Sequence, residues 1–258
     1  MEWGGKAWLR RGFVAFCCLF MAGIAVPEKA LSAEMSSNVD EDLYADAELW
    51  NDQDSDVHIA DPLEPWNRLW FEINDRLYFW VLKPVARGYA AIIPEQGRVM
   101  IRNFFHNLSM PIHFVNALLQ GKIKQAGAEL GRFVFNTWGG FLGFFDVAEA
   151  AYDLKAGDED FGQTLGVWGM GDDLYLVWPV IGPSNGRDTI GKVADTFMNP
   201  LTYYPEDFSA RAAIFGFKTV NNTSLRIGEY ESLKKAALDP YVSLRNAYTQ
   251  MRRKEIKE

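Results

Sequence analysis

The sequence predicts a mostly α fold built as a single helical domain. Three observations predict it. Apolar residues recur at steps of three and four along much of the chain. Prolines and glycines punctuate those runs at helix-length intervals. Only one short apolar stretch, residues 174–180 (LYLVWPV), reads as a strand or a buried extended piece.

The elements follow in order. A helix is expected from Asp61-Pro62, where Asp61 can cap the first turn and Pro62 fits within it. Trp66, Trp70, Ile73, Leu77 and Trp80-Val81 then form one apolar stripe. Pro84 interrupts it and Pro94 does so again. A second helix is expected from Glu95 towards Leu108. Pro111 opens a third, with Val115 and Leu118-Leu119 on one face and Gly121 at its end. A fourth covers Lys122 to about Trp138. Residues 133–147 (FVFNTWGGFLGFFDV) are nearly all apolar but are broken by Gly139, Gly140 and Gly143. A membrane-spanning helix needs roughly 20 apolar residues, so this run predicts a helical hairpin or kinked turn instead. Residues 153–173 read as loop with one short helix, and residues 182–186 as a turn. A helix starts near Arg187, and helical patterning resumes after Pro205 to about Ala237. Asp239-Pro240 breaks it, and a last helix reaches the basic end Arg252-Arg253-Lys254.

The amino-terminal segment is of another kind. Lys6, Arg10 and Arg11 precede an apolar run over residues 12–26, and Ala30-Leu31-Ser32-Ala33 offers small residues for cleavage. That is the pattern of a secretory signal over residues 1–33. Residues 34–61 read as an acidic disordered linker, leaving residues 62–258 as the folded domain. The charge supports this division. Residues 33–61 hold ten acidic residues and no Lys or Arg, whereas residues 62–258 hold 22 of each sign within a chain of net charge −8. A charge-neutral body gives no electrostatic case for nucleic-acid binding. Both cysteines, Cys17 and Cys18, lie inside the apolar run. Phe16 and Cys17 precede them, where a lipoprotein signal wants a small residue, so no lipid anchor is expected. Removal of the signal leaves no thiol nucleophile, disulfide or Cys-ligated metal.

The remaining motifs point away from catalysis. His106 and His113 stand seven apart, not at the four-residue spacing of a zinc helix, and no metal site or cofactor is expected. Residues 182–186 (GPSNG) match the letters of a Gly-x-Ser-x-Gly elbow but read as a turn. Residues 166–171 (GVWGMG) lack the strand–turn–helix setting of a dinucleotide fingerprint. Asp158-Glu159-Asp160 and Asp172-Asp173 are adjacent acids, not opposed carboxylates in unlike environments. The chain is not expected to be an enzyme. Aromatics are abundant at 14%, nine of them Trp, which suits either a packed core or a membrane–water boundary.

Several stretches together resemble one family. They are Asp61-Pro62-Leu63-Glu64-Pro65-Trp66-Asn67-Arg68, Leu82-Lys83-Pro84-Val85-Ala86 and Asn103-Phe104-Phe105-His106-Asn107-Leu108. There follow Asn116-Ala117-Leu118-Leu119-Gln120-Gly121-Lys122, Arg132-Phe133-Val134-Phe135-Asn136-Thr137 and Glu159-Asp160-Phe161-Gly162-Gln163-Thr164-Leu165-Gly166. Gly182-Pro183-Ser184, Arg187-Asp188 and Asp239-Pro240-Tyr241 close the set. In this order they resemble the MlaA (VacJ) family of Gram-negative outer-membrane lipoproteins over about residues 61–250.

The resemblance implies a ring of amphipathic helices in the periplasmic leaflet of the outer membrane, around a central channel. It implies phospholipid as ligand, a soluble periplasmic carrier (MlaC-like) as recipient and a trimeric porin as partner. Such a protein removes phospholipid that has strayed into the outer leaflet and so maintains lipid asymmetry. On this resemblance Gly139, Gly140 and Gly143 are expected to hinge an apolar hairpin near the channel. Phe141, Leu142, Phe144 and Phe145 are expected to meet acyl chains. The rival expectation is static close packing of those glycines. Two departures stand out: the missing lipidated cysteine, and Asp173-Leu174-Tyr175 where the family usually reads Gly-Pro-Tyr. A porin-binding adaptor that moves no lipid, and a secreted lipid hydrolase, are the competing functions.

Overall fold

The first helix does not stop at its proline. In a computed structural model, which describes residue 59, residues 61–172 and residues 174–257, α1 runs over Glu64–Leu77 and passes through a π-helical turn at Tyr78–Leu82. It continues directly into α2, Lys83–Ile92. Pro84 lacks an N–H and its ring crowds the carbonyl of Trp80. The wider turn, closed by Lys83 N–H on Tyr78 O, absorbs that defect without ending the helix. The expected interruption is therefore a local change of winding. Asp61 is not the cap expected of it either. The cap position falls to Leu63, while the Asp61 carboxylate accepts from Asn67 Nδ2 at 2.8 Å and from the Tyr241 hydroxyl.

The next helices match their expected spans closely. They are α3 over Glu95–Leu108, α4 over Met110–Leu119 and α5 over Ile123–Trp138. Ser109 alone separates α3 from α4, its N–H shared between Phe105 O and His106 O. Gly121, at φ +76°, ends α4 in the left-handed conformation that glycine adopts most easily. After the apolar hairpin, α6 (Val147–Tyr152) is capped by Asp146 and α7 (Phe161–Val167) by Asp160.

The extended piece pairs where a turn was expected. β1 (Tyr175–Trp178) and β2 (Gly182–Asn185) form an antiparallel hairpin in which Tyr175 faces Asn185 and Trp178 faces Gly182. The reversal lies at residues 179–181, with Val180 at φ +66°. Two asparagines of α1 fix this geometry. Asn67 donates to Tyr175 O at 3.0 Å and accepts from Val177 N at 2.8 Å; Asn74 donates to Trp178 O and accepts from Val180 N, each at 2.8 Å. Seven residues apart on one helix face, they serve the free edge of β1 as a third strand would.

The carboxy-terminal half comprises α8 (Gly186–Met198), α9 (Pro200–Tyr203), α10 (Phe208–Leu225), α11 (Glu229–Ala236) and α12 (Pro240–Lys257). The single helix expected up to residue 237 is split before Gly228, whose φ of +110° is left-handed. α8 packs on α7, α4 on α5, and α10 across α2 and α3. Residues 57–258 form one compact unit, and the fold is mostly α. The expected signal over residues 1–33 and, save Ile59 and Asp61, the acidic linker lie outside the described residues, as does Asp173.

An apolar core exists but is small. Ile59, Phe71, Tyr175, Val177 and Tyr241 form it, with Trp70, Val242, Leu244 and Tyr248 around them. Among the described residues, 17 polar or charged side chains are buried against 12 hydrophobic ones. The large apolar side chains face outward instead. Trp66, Leu69, Ile73, Leu77 and Trp80 are exposed along α1 and its π turn, and Leu130, Val134 and Trp138 along α5. Ile190, Val193 and Phe197 are exposed along α8. Among the described residues no helix is long and apolar enough to cross a membrane.

Candidate functional site

The hairpin begins where α5 runs out of side chains. Gly139 N–H and Gly140 N–H both reach Phe135 O, at 2.8 and 3.1 Å, and the chain then reverses. Leu142 N–H donates to Thr137 O at 2.9 Å, Gly143 N–H to Asn136 O at 2.8 Å and Phe145 N–H to Gly140 O at 2.9 Å. Phe141 (φ +51°), Leu142 (+59°) and Gly143 (+91°) are consecutively left-handed. For Phe and Leu that conformation costs roughly 1–3 kcal/mol each and persists only where neighbours enforce it. The enforcing neighbour is Asn107 of α3. Its Nδ2 donates to Thr137 Oγ1 at 3.0 Å and to Leu142 O at 3.4 Å.

The glycines are needed for close approach. A Cβ on Gly143 would stand 2.4 Å from Asn107 Cβ, and one on Gly140 only 2.1 Å from Phe145 O. Both are buried, whereas Gly139 is exposed. The expected contact residues divide likewise. Phe141 and Leu142 are each 54% exposed and Phe145 is partly so. Phe144 turns inward and stacks on Phe104, with ring centroids 5.0 Å apart. Trp138, 87% exposed, stands at the entry to the hairpin. The structure thus brings Gly139, Gly140, Phe141, Leu142, Gly143, Phe144 and Phe145 together on one turn, with Phe141, Leu142 and Phe145 at its surface.

Beneath the hairpin the interior is polar. Arg132 Nη2 lies 2.5 Å from Asp146 Oδ2, and Arg132 also donates to Leu154 O. Asn136 donates to Asp146 Oδ1 at 3.0 Å and accepts from Ala148 N–H at 2.8 Å. Burial alone would raise the Asp146 pKa, but the hydrogen bonds from Arg132 and Asn136 outweigh it and hold the carboxyl below the ordinary range. Further in, fully buried Asn116 donates to Asp195 Oδ1 at 3.0 Å and accepts from Thr164 Oγ1 at 2.9 Å. Arg132, Asn136, Asn116 and Thr164 sit inside the stretches that carried the family resemblance, whereas their partners Asp146 and Asp195 lie outside them, and spacing alone gives no sign that they pair.

The structure also brings together two residues that spacing had set apart. His106 and His113 stack with centroids 5.0 Å apart and 13° between planes. Asp158 Oδ1 lies 3.3 Å from His106 Nε2. The helix joint at Ser109, and not a single helix face, unites them.

Comparison with known proteins places this geometry. A family model described as MlaA lipoprotein matches residues 59–255. A protein of Rickettsia conorii is 31% identical over 216 residues, covering 81% of this chain and 85% of its own. The intermembrane phospholipid transport system lipoprotein MlaA of Haemophilus influenzae is 32% identical over 196 residues, 74% of this chain and 76% of that one. A solved structure, reported under the words "Structural basis for maintenance of bacterial outer membrane lipid asymmetry", superposes with a TM-score of 0.65 at 33% identity. It covers 76% of this chain and 99% of that chain.

Proposed function

The chain belongs to the MlaA lipoprotein family, and from that premise we propose that it is the outer-membrane component of an intermembrane phospholipid transport system. It removes phospholipid mislocalised to the outer leaflet and passes it to a periplasmic, MlaC-like carrier, so maintaining lipid asymmetry. It acts by passage and not by catalysis. The observation that carries this reading is the inverted distribution of side chains: polar groups buried, Trp, Phe, Leu and Ile outside.

Exposed apolar surface on this scale is unfavourable in water, at about 25 cal/mol per Å². Against acyl chains the penalty vanishes, and the helices keep their backbone hydrogen bonds internal, as lipid demands. Amphipathic helices, none of which among the described residues is long and apolar enough to cross a membrane, suit residence within a leaflet, apolar faces outward. The protein therefore sits in the periplasmic face of the outer membrane of a Gram-negative bacterium. There its helices form a ring around a passage whose polar groups face a headgroup while Phe141, Leu142 and Phe145 meet the tails. A trimeric porin is the expected membrane neighbour.

Outer-leaflet phospholipid in a deletion strain, read by an outer-leaflet-specific acylation or labelling assay, tests the reading. Surface phospholipid is expected to rise on deletion and to return to wild-type level on complementation. An unchanged level would sink lipid removal and leave the porin-binding adaptor as the better account.

A further inference from the structure

Apart from the hairpin, three donor-bearing side chains converge at one place. His106 lies near the end of α3, His113 in the first turns of α4, and Asp158 in the loop before α7. One ligand-capable atom from each lies within 4.8 Å of the other two. The tautomer of His113 follows from its surroundings. Its Nδ1 is 3.0 Å from the carbonyl oxygen of Glu159, which can only accept, so Nδ1 carries the hydrogen. In the neutral ring this leaves the Nε2 lone pair available. A histidine whose second nitrogen donates to a backbone carbonyl is the usual arrangement for a metal-bound imidazole.

His106 adds a second sign. Its Nε2 is shut off from solvent and makes no aligned hydrogen bond among the described residues. Yet it lies 3.3 Å from Asp158 Oδ1. Two ligand atoms each about 2.0 Å from a tetrahedral zinc stand about 3.3 Å apart. The pair thus has the spacing of two ligands sharing an ion.

We propose that His106, His113 and Asp158 form a binding site for a divalent transition-metal ion of the zinc class. Two imidazoles and one carboxylate suit zinc or cobalt over calcium and magnesium, which favour oxygen alone. Asp158 is exposed and has room to adjust as the donors close on the ion. Three protein ligands leave a fourth position for water or an anionic oxygen. The ion ties the loop before α7 to the α3–α4 joint. It does so one residue from Asn107, which holds the apolar hairpin.

The test uses the full chain purified in detergent without a histidine tag and stripped with chelator. Zinc is titrated in competition with a chromophoric chelator, and cobalt is followed by its visible absorption. Wild-type protein is expected to take up one ion per chain and to give the intense bands of tetrahedral cobalt. His113→Gln and Asp158→Asn are each expected to weaken binding about 10-fold or more, while His58→Ala leaves it unaltered. Circular dichroism checks folding, and Asp158→Asn at its exposed position keeps the comparison valid should a histidine variant misfold. Lack of stoichiometric binding by wild-type protein, or equal affinity in Asp158→Asn, overturns the proposal.

Discussion

Arg252 joins three helices through one guanidinium. Its Nε and Nη2 reach the two Asp188 oxygens at 2.9 and 3.0 Å, and Nη1 and Nη2 reach the two Asp160 oxygens at 2.8 Å each. Asp160 caps α7 and Asp188 lies in the first turn of α8, so α12 is fastened to both. Arg252→Ala would leave Asp160 without its counter-charge and Asp188 with that of Arg187 alone, at 3.1 Å. It is expected to destabilise the fold by about 3–5 kcal/mol, measured by denaturation in detergent. Arg252→Lys should recover little, because an ammonium cannot make the double fork. In the sequence Arg252 is part of a basic end, and only the fold reveals that it is buried; a partner 64 residues away leaves no mark in local spacing. Asp195 has a different consequence. Burial pushes its carboxyl up to about 6 despite hydrogen bonds from Phe161 N–H and Asn116. The folded state then holds this proton more tightly than the unfolded chain does. Its contribution to stability is full below about pH 4 and is lost as pH rises through about 6. Thermal midpoints of wild type minus Asp195→Asn should therefore fall between those values. A difference that stayed flat across that range would remove Asp195 as the titrating group.

At the scale of elements, local rules did well where one residue decides and poorly where a distant contact decides. The bounds of α3 and, to within one residue, the start of α4, expected at Pro111 and found at Met110, were legible from periodicity and breakers. The passage through Pro84 was not, because a π turn has no spacing signature of its own. Nor was the strand at residues 182–185, since Gly and Pro speak for a turn unless partners such as Asn67 and Asn74 fix the register elsewhere. The apolar hairpin was legible as a break in a helix, and close packing of its glycines was the rival expectation, but that Gly143 packs on Asn107 of α3 was not legible. Gly143→Ala should cost about 2 kcal/mol or more, combining left-handed backbone with a clash against Asn107. Gly88→Ala, in α2 with open space around it, should be neutral or stabilise by up to about 1 kcal/mol. Paired unfolding curves of the two variants check this. Equal effects would mean that the hairpin yields freely at Gly143, as a hinge would.

At the scale of the whole molecule, the mostly α class was legible but the direction of the helices was not. Periodicity shows that a helix has an apolar face; it does not say whether that face meets other helices or the surroundings. Here Asn67, Asn116, Asn136, Glu129 and Arg132 occupy the inner faces while Trp66, Trp80 and Trp138 stand outside. In an ordinary globular protein such positions exchange roles. The inversion also reaches into calorimetry. Heat capacity on unfolding rises with apolar area newly wetted and falls with polar area newly wetted. On the proposed reading the outer Trp and Phe residues would stay against detergent acyl chains before and after the transition, so the freshly hydrated groups would be largely Asn, Arg and Asp. The increment should lie well below the usual value of roughly 12–15 cal/mol/K per residue, as scanning calorimetry at several midpoints can read. An ordinary increment would mean that apolar surface is hidden after all. A small one flattens the stability curve, so the fold should keep its strength on cooling, where a protein built on an oily core loses it.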